Sequence, residues 1–292
     1  MMSATSLIPV ILPLALFCIM LGVGMSVELH AFRQTLQQPR LLLTGVLLQL
    51  IGLPILGGLV IWLFQLPPLL ACGLMILTLA PGGATSNMIT YLARGDTALS
   101  ICLTAMAGII TPISLPLFSA MAIDFWLGDG SDFDFPVLQT MAKLALVSLL
   151  PALLGSALRH FYPDFCLRSA FAVKLITVLF MVLVVVGLVK QNGQQLLGLI
   201  PDLLWVLLSL LVLAMLLGWL IAKCQGRSQQ SAVTLSIEVG IQNAAIALLL
   251  TAGILQNTEM AAVALFYGVL MNLPALLLII WRNRLGLRWA SA

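Results

Sequence analysis

One acidic side chain stands where acids are costly. Glu238 lies inside the apolar stretch 231–253, and a charge at the centre of a membrane helix costs about 2.5–3.5 kcal/mol on insertion scales. Residues 236–243 read Ser-Ile-Glu-Val-Gly-Ile-Gln-Asn. Gly240 permits an unwound backbone, and Gln242 and Asn243 add amide oxygens beside the carboxyl. Such a group can ligate a cation, carry a proton, or stay protonated in a structural hydrogen bond between helices. The density of polar atoms favours a wet, functional site over the structural role.

A second interruption lies in 68–91, where residues 80–87 read Ala-Pro-Gly-Gly-Ala-Thr-Ser-Asn. Pro81 removes a backbone donor and clashes with the preceding turn. Gly82 and Gly83 allow non-helical dihedrals, so this stretch is expected to be two half-helices, the second opened by Thr85, Ser86 and Asn87. Freed carbonyls and a carboxylate suit a hard monovalent cation, whereas half-helix N-termini carry partial positive charge and suit an anion. A site offering both suits symport of sodium, or of a proton, with an organic anion.

The elements that must position these groups are membrane helices. The chain has 292 residues, 62% of them hydrophobic and 8% charged, with a mean hydropathy of +1.15. That is too little charge to coat a soluble globule. A soluble enzyme, a nucleic-acid binder and a disordered chain are excluded, and the lipid bilayer is the solvent. Nine apolar stretches are long enough to span: about 7–27, 41–64, 68–91, 97–121, 136–158, 170–189, 197–221, 231–253 and 260–281. The first is read as a retained span rather than a signal peptide, because no basic segment precedes it. The five cysteines form no CxxC and suggest neither a disulfide framework nor a zinc site. His30 and His160 fall in expected loops, and there is no HExxH, GxSxG or Walker A pattern, so an enzyme is not expected.

Alternate loops hold Arg33, Arg40, Arg94, Arg159, Arg168, Lys223, Arg227, Arg282, Arg284 and Arg288, ten of the thirteen basic residues. The positive-inside rule puts them in the cytoplasm, with the N-terminus outside and the C-terminus inside a cell membrane. Asp124, Asp129, Asp132 and Asp134 fall in the longest external loop. The two interrupted spans then run in opposite directions, which points to an inverted repeat with a site at the midplane.

Other polar groups have less to say alone. Ser100 and Thr104 are spaced i, i+4 and share a helix face. Gln49 and Asn272 are lone amides inside apolar stretches, each open to a role as interhelical glue or as a ligand.

At these motifs the chain resembles the sodium/bile acid cotransporter family. The segment from Ala80 to Ser100, Ala-Pro-Gly-Gly-Ala-Thr-Ser-Asn-Met-Ile-Thr-Tyr-Leu-Ala-Arg-Gly-Asp-Thr-Ala-Leu-Ser, is similar to that family's most recognisable stretch, and Ile237 to Asn243 to its second. The resemblance implies an all-α polytopic membrane fold of nine transmembrane helices, with two broken helices crossing in a core domain (about 41–121 and 197–281). A panel domain (about 7–27 and 136–189) would pack beside it. It implies two sodium sites, the first made of Ser86, Asn87, Ser100, Thr104 and Glu238. The second would use Gln49, Glu238, Gln242 and the carbonyls of Val239 and Ile241. Asn243, Asn272 and Thr85 would face a substrate cavity between core and panel.

The chain departs from the family pattern beside that cavity. Ala244-Ala245 stands for a common Ser-Gly, Met271 for a frequent His, and Ala84-Thr85 for Thr-Ala or Thr-Gly. A bile acid, a steroid conjugate or a smaller carboxylate all remain open as the anion. The expected activity is sodium-coupled symport by alternating access. A proton-coupled transporter with Glu238 as carrier, and an anion-binding sensor or channel, are the alternatives.

Overall fold

The computed structural model describes residues 8–27, 38–128 and 135–289. Glu28, His30, Arg33, Asp129, Asp132 and Asp134 lie outside the described residues. The described chain is helical: α1 (Ile8–Ser26), α2 (Pro39–Phe64), α3 (Pro68–Thr78), α4 (Ala84–Leu92), α5 (Thr97–Leu127), α6 (Val137–Phe161), α7 (Pro163–Cys224), α8 (Gln229–Gly240), α9 (Ala244–Leu248, continued by the wide turn Leu249–Ile254), α10 (Thr258–Leu270) and α11 (Asn272–Trp289). Among the described residues, six helical segments are long and apolar enough to cross a membrane, and Ile11–Ser26 and Pro68–Thr78 are shorter apolar helices.

Helix starts follow local chemistry. Asp96 caps α5 by accepting from Leu99 N at 3.0 Å, Ser228 caps α8 through Ser231 N at 3.1 Å, and Asn257 caps α10 through Met260 N at 2.9 Å; each satisfies one orphan donor of a first turn. α5 runs six residues beyond the expected end at 121, so Asp124 sits in its last turn rather than in a loop. The stretches expected at 170–189 and 197–221 are joined in α7, whose helix is interrupted only at Asn192 (φ −129°, ψ 24°). The 54 residues from Phe171 to Cys224 would reach about 80 Å as one straight helix, far more than the roughly 30 Å of hydrocarbon.

Burial separates centre from periphery. The apolar window of Gln229–Ile254 is 100% buried, against 22% for α6. Bulky apolar side chains such as Trp62, Phe125, Leu138 and Phe171 are exposed on the outer helices, a surface that only lipid covers at low cost. In the membrane, close backbone approach replaces hydrophobic burial as the packing force. α1 and α6 show this at Gly24 and Gly155: a Cβ on Gly155 would lie 2.2 Å from Leu21 O and 2.8 Å from Met25 N. Gly155→Ala is expected to push the two helices apart and destabilise by about 1–3 kcal/mol, read as a lower melting temperature of the purified protein.

Candidate functional site

Both expected breaks are present. α3 ends at Thr78 and α4 begins at Ala84, while α8 ends at Gly240 and α9 begins at Ala244. The two gaps meet. Asn243 N donates to Ala80 O at 2.9 Å, and a Cβ on Gly82 would lie 3.1 Å from Ile241 O. The hydrogen bond satisfies a donor of the second break and an acceptor of the first across the crossing. Tyr267 of α10 closes a further gap by donating its hydroxyl to Gly240 O at 2.6 Å.

Glu238 sits at this crossing, fully buried. Ser100 Oγ is 2.5 Å from its Oε1 and 2.8 Å from Asn87 Oδ1. Thr104 Oγ1 is 3.5 Å from Glu238 Oε2 and 3.1 Å from Asn87 Oδ1. Ser86 also reaches the carboxylate, yet its proton is directed to Gly83 O at 2.8 Å. A hydroxyl has one proton to give. Ser100 and Thr104 therefore have two protons for the three oxygens of Glu238 and Asn87 that they face, and with the carboxylate's further lone pairs the cluster holds more acceptor sites than donors. A positive charge corrects that imbalance, as a bound cation or a proton on Glu238.

The second set of expected ligands lies on the other side of the same carboxylate. Gln49 Nε2 donates to Glu238 O at 3.0 Å and to Oε2 at 3.3 Å. Gln242 Nε2 donates to Val239 O at 2.7 Å. Both amides leave their Oε1 atoms buried with no hydrogen-bond partner. Two orphaned buried acceptors are expensive in protein and would be favourable next to a cation. Gln49 is held by a widened turn of α2 over Leu48–Gly52, in which Leu53 N donates to Leu48 O. Pro54 explains the turn, since it has no N–H to continue the regular ladder. The donor set is all oxygen with a single carboxylate, and among the described residues no group of three His, Cys, Asp or Glu gathers. Those residues fit a hard monovalent cation.

Cavities open on both faces of the crossing. One, of about 210 Å³, is lined by Gly83, Thr85, Asn243 and Asn272, with Ile19 and Val185 opposite. It brings together the three residues expected at a substrate. The other, of about 180 Å³, reaches Gly82, Thr104 and Asn243 from between α1, α5 and α6. Asn272 turns its Nδ2 to Gly268 O at 2.8 Å, leaving its carbonyl oxygen as the group it can offer. Neither lining contains Lys, Arg or His, so an anion there would rest on helix N-termini, hydroxyls and amides. Sequence reasoning missed Tyr267 and the Ala80 carbonyl. Tyr267 carried one signal, a phenol in an apolar stretch, while a backbone carbonyl carries none.

The geometry thus defines a polytopic membrane protein with an oxygen-lined pocket where two broken helices cross. Residues 13–199 match the model of the sodium bile acid symporter family, and the chain belongs to that family. The uncharacterized sodium-dependent transporter YocS of Bacillus subtilis is 27% identical over 276 residues, 92% of this chain and 78% of that protein. The probable chloroplastic sodium/metabolite cotransporter BASS1 of Arabidopsis thaliana is 32% identical over 232 residues, 79% of this chain and 56% of its own length. The human ileal sodium/bile acid cotransporter is 26% identical over 236 residues, 80% of this chain and 66% of that one. Glu238 and Gln242 lie beyond the segment that the family model matches, whereas Gln49, Ser86, Asn87, Ser100 and Thr104 lie within it.

Proposed function

We propose that this protein is a sodium-coupled symporter of an organic anion, and that it works by alternating access in a cell membrane. The observation that carries the reading is the excess of buried acceptor oxygens around Glu238, including the unpartnered Oε1 atoms of Gln49 and Gln242. The names of the relatives, sodium-dependent transporter and sodium cotransporter, agree with it.

On this reading Ser86, Asn87, Ser100, Thr104 and Glu238 hold one sodium ion. Gln49, Gln242, Glu238 and the carbonyls of Val239 and Ile241 hold another. Thr85, Asn243 and Asn272 face the anion. The chain makes nine spans: α7 counts as two about Asn192, while α3–α4, α8–α9 and α10–α11 each count as one. An odd number places the termini on opposite sides, with the C-terminus and most basic residues in the cytoplasm. The broken spans α3–α4 and α8–α9 are the corresponding members of an inverted repeat. The core (about 41–121 and 197–281) moves against the panel formed by α1, α6 and the first part of α7. Sodium favours whichever arrangement draws its oxygens together, and it shifts the population by that difference in affinity.

The test needs no knowledge of the anion. Purified protein is melted in sodium and in potassium at matched ionic strength. A ligand at about 100 times its dissociation constant stabilises by roughly 2.7 kcal/mol, so sodium alone is expected to raise the melting temperature. Equal melting in the two salts would overturn sodium coupling. A response to pH instead would favour Glu238 as a proton carrier, which the same donor deficit accommodates.

A further inference from the structure

We infer that Thr234 is a positioning residue for the cation pocket, acting through the turn between α4 and α5; the inference rests on the reading of that pocket given above. The turn is Ala93-Arg94-Gly95-Asp96, part of the motif that opens the fourth stretch, and none of its residues belongs to the pocket.

The turn is built as a rigid block. Arg94 N donates to Tyr91 O at 3.1 Å and Gly95 N to Thr90 O at 2.9 Å, the paired bonds that close a helix C-terminus. Arg94 takes the left-handed conformation this closure needs, with φ 54°. From α11, Arg282 Nε donates to Ala93 O at 3.3 Å, its terminal nitrogen to Arg94 O at 3.4 Å, and Asn283 Nδ2 to Leu92 O at 3.2 Å. α4 and α5 leave this block with their relative register fixed.

Thr234 fastens α8 to the same block. It is fully buried. Asp96 N donates to Thr234 Oγ1 at 2.7 Å, and the Thr234 proton faces Asp96 O at 3.2 Å and Gln230 O at 3.0 Å. Gly95 allows the approach, because a Cβ there would lie 2.8 Å from Thr234 Oγ1. One helical turn further in, the spacing repeats. Glu238 is i+4 from Thr234, while Ser100 and Thr104 are i+4 and i+8 from Asp96. The clasp at Thr234–Asp96 therefore sets the depth at which Ser100 meets Glu238, 2.5 Å apart. A slip of α8 by one residue, about 1.5 Å, exceeds the tolerance of a hydrogen bond.

The experiment is a sodium titration of melting temperature on the full chain, with potassium as the balancing salt. Thr234→Val keeps the shape and removes the hydroxyl. Its apparent dissociation constant for sodium is expected to rise about three- to tenfold, and Thr234→Ser is expected to restore the wild-type value. A residue that merely supports the fold would lower the melting temperature in potassium and leave the sodium constant unchanged; that result overturns the inference, as would a serine variant as weak as valine. If the valine variant does not fold, Gly95→Ala pushes on the same clasp. Weakened sodium binding in it supports the inference, and a wild-type constant overturns it. A wild-type protein that ignores sodium, or a Glu238→Ala variant that responds as wild type does, instead removes the underlying reading of the pocket.

Discussion

Glu238→Gln is expected to abolish sodium-driven uptake while the protein still folds. The substitution keeps the volume and leaves an amide oxygen near Ser100 and Thr104, which now lie 2.5 Å and 3.5 Å from the carboxylate. It removes the pocket's only formal charge and adds an N–H donor pair to a cluster short of donors. The loss of a charged partner from a buried site costs about 3–5 kcal/mol, or a weakening of sodium binding by roughly a hundredfold or more. Accumulation of substrate in vesicles under a sodium gradient reads the effect, with melting in potassium as the check on folding. Wild-type accumulation by this variant would end the sodium assignment. Gln49→Ala, which deletes one orphaned acceptor and the donor to Glu238 O, is expected to act in the same direction.

Gly82→Ala is expected to produce nearly as large a loss from outside the ligand set. The new methyl group would lie 3.0 Å from Ser86 Oγ, 3.1 Å from Ile241 O and 3.3 Å from Glu238 Oε2. Three oxygens from three different segments converge on that point, so the methyl stands where a cation would draw them together. These contacts are tight enough to need small shifts, yet two of the three atoms are on side chains that can give. The fold should therefore survive, with a melting temperature in potassium within a few degrees of wild type and no further rise in sodium. An unchanged sodium response would show that the ion binds elsewhere.

How far these features were legible in the sequence depended on how costly each residue is in lipid. Glu238, Pro81 and the Gly82-Gly83 pair break rules of membrane helices; the break at 79–83 falls on Pro81 and the glycine pair, and the one at 241–243 begins just after Gly240. Spacing put Ser100 and Thr104 on one helix face, but their place in the pocket was implied only by the family resemblance. Gln49 was visible as an anomaly, but its approach to Glu238 depends on a wide turn set by Pro54, and a turn of that kind has no one-residue signature. The clasp at Thr234 was hidden, because a threonine that bonds a distant main chain looks the same in sequence as one bonded to its own helix. The end of α5 was misjudged because Phe125, Trp126 and Leu127 continue an apolar helix past Asp124. Which helices pack together, such as α1 with α6 through Gly24 and Gly155, needs three dimensions.

The two cavities meet at Asn243, and the adjacent residues Gly82 and Gly83 front one cavity each. Residues adjacent in the chain thus form part of the partition between them. On the alternating-access reading, cargo held at that partition has almost no distance to travel, because the access routes change around it. Such a septum is also a leak hazard. The hydrogen bond from Asn243 N to Ala80 O holds it together, with the Asn243 side chain packed against Gly83 and Ile241 O against Gly82. On that reading, a substitution that props the crossing open would let ions leak across it.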